Sequence, residues 1–276
     1  MKNYYTEEVL KLISERILNK SIDELKEIYL KFEKNKNEDC HPLIPLVAVN
    51  EIFRKFLEKK EVCQDRPRIQ FDLSYFLPCK RQENPKTIII LGMDAKSNYK
   101  GKDVLLSTPY NTHDSSPKEY AVIIDKLNKH YNIYLTDLYK GYWVEDKNGI
   151  TKNEKSRVED RPSNQNINYI KLEIHKEILE KEINILGENL VGVLAWGAAA
   201  RNAILDVFSS IKERKSITNE NITAPYELEK FKLIATVHPS NLATKWKNKY
   251  FENNKLGDKW DPIIMAEAII NAFDVK

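Results

Sequence analysis

The sequence lacks a charge excess, a cysteine framework and a long apolar run, each of which would indicate a class of protein. Its 44 Lys and Arg residues nearly cancel its 41 Asp and Glu residues, so the net charge is only +3 over 276 residues. A near-neutral chain does not have the strongly basic composition that is typical of nucleic-acid-binding domains. Composition alone therefore points to no nucleic-acid partner.

Apolar runs of membrane-spanning length are also missing. The longest runs, at 86–92 and 190–196, have the length of buried strands and fall short of the roughly 20 residues that a span requires. The N-terminal segment carries acids where a signal peptide would carry its apolar stretch. We expect a folded, monomeric protein of the cytoplasm or the nucleus, with the cytoplasm as the first expectation, and without a membrane partner.

Only three cysteines occur, and no two of them form a C-x-x-C pair. Three thiols cannot complete a disulfide framework, and they cannot supply the four thiolates of an ordinary zinc or iron–sulfur site. We therefore expect neither a structural metal nor a disulfide-stapled fold.

The first eighty residues predict helices without visible chemistry. Ser21 and Glu24 have the spacing of a capping box before an apolar helical pattern, and Thr6 precedes an earlier pattern of the same kind. We expect residues 1–80 to form a helical region that is attached to, or packed on, a domain at 81–276.

Beyond residue 86, short β-rich runs alternate with helical patterns. The β-rich runs are mostly apolar on both faces, as are strands of a covered parallel sheet. These runs are 87–91, 132–136, 190–194 and 231–237. The helical patterns are 117–127, 167–178, 198–211 and 261–273. The alternation predicts an α/β fold, a three-layer α/β/α domain around a central, mainly parallel four-stranded sheet. The polar stretch 140–166 is most simply a long loop, and such loops often serve as lids or clamps.

The residues that follow the strands are the candidates for chemistry, because ligands of an open parallel sheet bind beyond the carboxyl ends of its strands. In chain order they are Gly92-Met93-Asp94, Asp137, Trp196-Gly197 and His238. Each has a structural explanation when taken alone: an aspartate can cap a turn, a histidine can be bonded in the core, and Trp-Gly suits a tight strand-to-helix turn. The combination of G-x-D after the first strand with H-P-S after the fourth favours a functional site.

These segments resemble the uracil-DNA glycosylase superfamily. Gly92-Met93-Asp94 resembles the family's water-activating motif, usually written G-Q-D-P-Y or G-x-N-P-G. The segment V-H-P-S-N-L at 237–242 resembles its H-P-S-P-L segment, and L-A-W-G-A-A-A at 194–200 resembles its L-W-G-x-x-A segment. The order and spacing of the three agree with the family over about residues 85–275, so the chain looks like a divergent member.

The resemblance implies a DNA glycosylase that hydrolyses the N-glycosidic bond of a flipped uracil or another deaminated or damaged base. Asp94 would position or activate the water and stabilise the sugar cation, and His238 would donate a hydrogen bond to the departing base. Leu242 would fill the gap left by the flipped nucleotide, while Ser240 would help to hold phosphates. The implied partner is single- or double-stranded DNA, and no metal or cofactor is implied.

The base pocket departs from the family pattern. Ala95-Lys96 stands where the best-known branch has Pro-Tyr, so we expect Tyr99 or Tyr110 to replace the aromatic that excludes thymine. Leu106 or Ser107 stands nearest to the family's stacking aromatic. The expected base-binding residues are Gly92, Met93, Tyr99, Leu106, Tyr110 and Asp137.

Asp137 falls near the base-reading asparagine of the family. A carboxylate is only an acceptor when ionised, so Asp137 would favour a base that presents two donors, or would itself be protonated. A slip of one residue in the alignment would put Thr136 at this position instead.

Lysines cluster beside two of the motifs despite the small net charge. Three follow Asp94, and three more follow His238 with Trp246 between them. Basic residues with an interleaved aromatic are typical of a groove that follows a nucleic-acid backbone, so we expect a few phosphate contacts and a shallow salt dependence. The expected DNA-binding residues are Lys96, Ser240, Asn241, Leu242, Lys245 and Lys247.

Two other functions fit the same residues. The missing aromatics are compatible with a nucleic-acid-binding protein on this scaffold that has no catalysis. Asp94 and Asp137 at neighbouring strand ends are also compatible with a Mg²⁺-dependent enzyme of small-molecule metabolism. No glycine-rich phosphate loop follows any predicted strand, which argues against the second of these.

Overall fold

The computed structural model describes residues 6–34, 42–59, 68–93, 103–109, 119–144, 172–239 and 244–274. The helices in these ranges are α1 (Glu7–Arg16), α2 (Ile22–Lys34), α3 (Glu51–Lys59), α4 (Glu119–Leu127), α5 (Leu172–Leu186), α6 (Ala198–Phe208), α7 (Thr244–Asn253) and α8 (Pro262–Asp274). The strands are β1 (Leu43–Ile44), β2 (Arg68–Asp72), β3 (Tyr75–Leu77), β4 (Thr87–Gly92), β5 (Val104–Ser107), β6 (Asn132–Asp137), β7 (Gly141–Val144), β8 (Leu190–Trp196), β9 (Tyr226–Glu227) and β10 (Lys232–Thr236).

The strands form two sheets. The larger sheet has the order β3-β6-β4-β8-β10-β9; its four inner strands are parallel, and both edge strands are antiparallel to their neighbours. All four predicted strands therefore form, but the predicted size of the sheet is wrong, because it has six strands. The edge strands have three and two residues, which is too short for an apolar pattern to reveal them.

The smaller sheet has the order β1-β5-β2-β7 and was not expected from the sequence. The described parts of residues 1–80 thus contain three strands in addition to helices α1 to α3. Two of these strands, β1 and β2, pair with β5, and β3 pairs with β6 of the larger sheet. The expected loop at 140–166 begins with strand β7, and its residues beyond Val144 lie outside the described part of the chain.

The predicted helix starts are confirmed where they are described. Ser21 and Glu24 form a reciprocal capping box, in which each side chain accepts a hydrogen bond from the backbone N–H of the other, at 2.8 and 3.3 Å. Asp261 caps α8 by accepting from Ile263 N at 2.7 Å. No helix in the described ranges is long and apolar enough to cross a membrane.

Helices pack on both faces of the larger sheet. Gly192 of β8 lies directly under Phe273 of α8, because a Cβ at this position would be 2.2 Å from Phe273 Cε1. Helix α4 packs beside α8. On β6, Tyr134 and Thr136 hydrogen-bond to Glu182 of α5, which covers the opposite face.

Candidate functional site

The order of the parallel strands predicts a ligand crevice between β4 and β8. From β4 the chain passes to β6 on one side and then to β8 and β10 on the other. Such a reversal is a topological switch point, and ligands of open α/β sheets bind there, beyond the carboxyl ends of the strands. Gly92 ends β4 and Trp196 ends β8. The crevice therefore separates the two motifs that follow these strands.

Strand register brings the predicted site residues to one face of the sheet. Residues paired across parallel strands point to the same side, and side chains alternate along each strand. Ile88 is paired with Gly192, so the face that carries Gly192 also carries Gly92, four residues after Ile88. Asp137 is paired with Gly92, and Trp196 lies four residues after Gly192. These residues consequently share the face covered by α8.

His238 follows β10 and packs on Trp196. Thr236, the last residue of β10, is paired with Trp196, and His238 lies two residues further along the chain. The rings of Trp196 and His238 meet edge to face, with centroids 6.0 Å apart and planes at 73°. Trp196 is buried whereas His238 is only half-buried. The indole therefore supports one side of an imidazole that keeps access to solvent.

Gly197 makes the turn that follows Trp196. Its φ of 98° lies in the region that favours glycine, and its N–H donates to Thr236 O at 2.8 Å. This bond joins the carboxyl ends of β8 and β10. The interpretation of Trp-Gly as a structural turn is confirmed. The same turn follows Trp196, the residue on which His238 packs.

Asp137 is buried, with 3% of its surface exposed. The pairing of β6 with β4 continues past it, since Leu138 N donates to Gly92 O and Tyr139 N donates to Met93 O, both at 3.0 Å. Gly92, Met93 and Asp137 thus form one hydrogen-bonded strand-end unit. Met93 is half-buried and belongs to the edge of the core.

Leu106 does not have the environment that was expected of a base-binding residue. It lies in β5 of the smaller sheet, paired with Phe71, and its side chain has no exposed surface. A base could not contact Leu106 without displacing core residues. This prediction is wrong because an alternating strand can turn the same residue either to a pocket or to the core.

Lys247 is also not the phosphate-binding residue that the lysine cluster predicted. Only 2% of its surface is exposed, and its Nζ donates to a carboxylate oxygen of Glu119 at the start of α4. The same Nζ lies 5.3 Å from the ring centroid of Trp260. Lys247 therefore ties α7 to α4, whereas Lys245 is exposed as expected.

The remaining predicted site residues lie outside the described part of the chain. They are Asp94, Lys96, Tyr99, Tyr110, Ser240, Asn241 and Leu242. In the ranges that are described, no three His, Cys, Asp or Glu side chains are grouped to hold a metal ion.

Sequence reasoning missed a buried polar network on the α5 face of the sheet. Glu182 accepts hydrogen bonds from Tyr134 at 3.0 Å, from Thr136 at 3.0 Å and from Ser74, and it forms an ion pair with Lys140. Burial raises the pKa of Tyr134, which keeps its hydroxyl protonated as a donor. A sequence signal existed, because Glu182 lies on the apolar stripe of α5 at a position where a core residue is normal.

His175 lies beside this network and is fully buried. Its Nδ1 accepts from Lys140 N at 3.2 Å, so its proton is on Nε2, which has no hydrogen-bond partner among the described residues. Burial, helped by the charge of Lys140, lowers the pKa of His175 to about 3. The ring is therefore neutral at physiological pH.

Comparison with models of known protein families finds no match, and comparison with curated protein sequences finds no significant match. The functional conclusion consequently depends on the residues of this chain and on their geometry.

Proposed function

We propose that the chain is a DNA glycosylase that hydrolyses the N-glycosidic bond of a flipped uracil or of another deaminated or damaged base. The observation that carries the proposal is the placement of two strand ends at one crevice. Met93, which directly precedes Asp94, follows β4 on one side, and His238 follows β10 beside the Trp196 that ends β8.

The chemistry requires two groups on opposite sides of the scissile bond. The Asp94 carboxylate would stabilise the oxocarbenium-like sugar and direct the water. The His238 imidazole would donate a hydrogen bond to the base oxygen that gains charge as the bond breaks. Packing on Trp196 limits the rotation of that imidazole, which reduces the cost of orienting it.

Asp137 is the proposed base-reading residue. It is paired with Gly92 at the carboxyl end of β4 and lies on the face of the sheet that also carries Trp196, which is where the resemblance implies that the base is read. An ionised carboxylate accepts but does not donate, which favours a base edge with two donors, whereas a protonated Asp137 would donate as well as accept, as the mixed edge of uracil requires.

The activity is tested on single- and double-stranded oligonucleotides that carry uracil, hypoxanthine, xanthine or a T·G mismatch, followed by alkaline cleavage of abasic sites. We expect a product from at least one substrate and a loss of about 100-fold or more in Asp94→Asn and His238→Ala. Asp125→Asn and His130→Ala are matched controls, because they lie on α4 and in the turn before β6, away from the carboxyl ends of the strands.

The same experiment separates this function from binding without catalysis. The burial of Leu106 favours the second candidate, because it keeps a residue that aligns nearest to the family's stacking aromatic from contacting a base. Salt-dependent DNA binding without abasic product, unchanged by Asp94→Asn, would support a binding protein. No product above the level of the two site variants on any substrate would reject the glycosylase.

A further inference from the structure

Trp246 is the one exposed aromatic residue among the aromatic side chains that the structure describes. It lies in the first turn of α7, and 52% of its surface is exposed. The adjoining side of α7 is buried through Lys247, Tyr250 and Phe251, and Trp246 lies at the border of that side, one turn before Tyr250. The orientation of α7 is therefore set by its own core contacts, and the indole is left facing outward.

Two lysines lie beside the exposed indole on the same helix. Lys245 and Lys249 are four residues apart, and Trp246 precedes Lys249 by three, so the three side chains lie on one side of the helix. We call this surface the Trp246 face. Both lysines are exposed, and in the described ranges neither has an ion-pair partner. The next acid on the helix, Glu252, lies almost a turn beyond Lys249.

The Trp246 face lies at the same edge of the sheet as the candidate site. Helix α4 follows β4 as a crossover between parallel strands, so its first residue, Glu119, is near the carboxyl edge. Lys247 is bonded to Glu119, and Tyr250 Oη donates to Ala235 O of β10 at 3.2 Å. These two contacts fix the start of α7 beside the strand that leads to His238.

We propose that the Trp246 face binds an unpaired nucleic-acid strand next to the target nucleotide, with the indole stacked on a base and the two lysines beside phosphates. The inference rests on the proposed function for the location of the target, and it adds a substrate class, single-stranded or locally melted nucleic acid. Stacking requires an unpaired base with an open π-face, and it tolerates any base sequence.

The chemistry of the face favours a nucleic-acid strand over a lipid surface. Helices that bind membranes immerse a broad apolar face. The apolar side of α7 is already buried against the protein, which leaves a single exposed indole beside two cations. That pattern matches alternating bases and phosphates.

Binding is measured with the full chain and undamaged probes, so that no catalysis is needed. The probes are oligo(dT) and oligo(U) of about 15 nucleotides, a blunt DNA duplex of the same length, and vesicles of phosphatidylserine and phosphatidylcholine. We expect unpaired strands to bind more tightly than duplex. Trp246→Ala should weaken this binding about tenfold or more, whereas Trp246→Phe should keep most of it.

The salt dependence tests the lysines separately. The double variant Lys245→Ala/Lys249→Ala should lower the slope of log K against log salt by about 1.4, and Lys212→Ala, an exposed lysine elsewhere, should leave it unchanged. Tighter binding of oligo(dT) or of oligo(U) identifies the preferred sugar, and either result supports the proposal.

Three results would overturn the inference. Trp246→Ala could bind unpaired strands as tightly as the wild type, duplex could bind more tightly than unpaired strands, or vesicles could bind through Trp246. If unpaired strands bind through Trp246 but no base is released from any substrate, the inference stands and the glycosylase proposal fails. If bases are released while Trp246→Ala binds unpaired strands as tightly as the wild type, the glycosylase proposal stands and the inference fails.

Discussion

Lys140 Nζ lies 2.6 Å from Glu182 Oε2, and neither side chain has more than 1% of its surface exposed. The pair joins the segment after β6 to α5, and it also holds the N-terminal part of the chain, because Ser74 donates to the same carboxylate. Both members of the pair also hydrogen-bond to Thr136, the residue before Asp137. The removal of either partner leaves a buried charge without compensation.

We predict that Lys140→Met lowers the free energy of unfolding by about 3–5 kcal/mol, because Glu182 then remains buried without its cation. Glu182→Gln should be similarly costly, and the double variant should cost clearly less than the sum of the two. Urea unfolding of all three measures the coupling. The exposed pair Lys181–Glu177 on the same helix is the matched control, and its removal should cost less than about 1 kcal/mol. Additive losses at Lys140 and Glu182 would contradict the prediction.

The neutral His175 predicts a stability that falls in acid. Its pKa is about 3 in the folded chain and about 6.5 when unfolded, so only the unfolded chain binds the proton between these values. The contribution of His175 to the free energy of unfolding is fully present above about pH 6.5 and is lost progressively toward pH 3, with a slope of up to about 1.4 kcal/mol per pH unit. His175→Gln keeps an acceptor for Lys140 N and removes the titration.

The measurement compares wild type and His175→Gln by urea unfolding at a series of pH values. As the pH falls from about 6.5 to about 3, the wild type should lose more unfolding free energy than His175→Gln does. His130→Gln, in the turn before β6, serves as the control. A pH-independent difference for His175→Gln would show that this ring does not govern the acid response.

Gly192 and Gly197 should resist substitution for different reasons. An alanine Cβ at Gly192 would meet Phe273 and the backbone oxygen of Lys232 at 2.2 and 2.7 Å, so Gly192→Ala should cost about 1–3 kcal/mol through overpacking. A Cβ at Gly197 would meet no atom within 4 Å, but its φ of 98° is costly for alanine, by about 1–2 kcal/mol.

A second substitution separates the two causes. Phe273→Leu should recover part of the loss in Gly192→Ala, because it removes the ring that the new methyl group meets. The same change should add its own cost to Gly197→Ala, since the strain there is in the backbone. Thermal unfolding of the single and double variants provides the comparison. If Phe273→Leu had the same effect on Gly192→Ala as on Gly197→Ala, the prediction of two different causes would be wrong.

Lys247 and Lys245 should have opposite phenotypes, although both belong to one basic cluster. Lys247→Met should lower stability by about 1–2 kcal/mol, because it breaks the bond to the partly exposed Glu119, and it should leave the salt dependence of DNA binding unchanged. Lys245→Met should leave stability unchanged and reduce that dependence. Unfolding curves and salt titrations of both variants test this, and a reduced salt slope in Lys247→Met would restore its role in phosphate binding.

The central strands were predictable because their signal is local. The runs at 87–91 and 190–194 are short and mostly apolar on both faces, which is typical of a strand covered on both sides. The start of α8 was predictable for a similar reason, since Asp261 bonds backbone groups two and three residues away. Such interactions involve near neighbours and can be recognised in a short window of sequence.

The candidate site was predictable only in part. The rule that ligands bind at strand ends pointed to His238, Gly92 and Asp137. Strand register brings Gly92 and Asp137 to one face of the sheet, and His238 packs on Trp196 of the same face. The support of His238 by Trp196 could not be predicted, because that contact requires β8 and β10 to be neighbours.

The amino-acid sequence determined which residue types end each parallel strand, and with them the chemistry that this edge of the sheet can offer. The tertiary structure alone decided that Lys247 is buried against Glu119 while Trp246 faces outward, and that Leu106 belongs to the core. It also assembled the network around Glu182 from segments more than forty residues apart. Local periodicity depends on residues within about one turn of each other. Burial depends on which distant segments pack together, and a local pattern does not determine that packing.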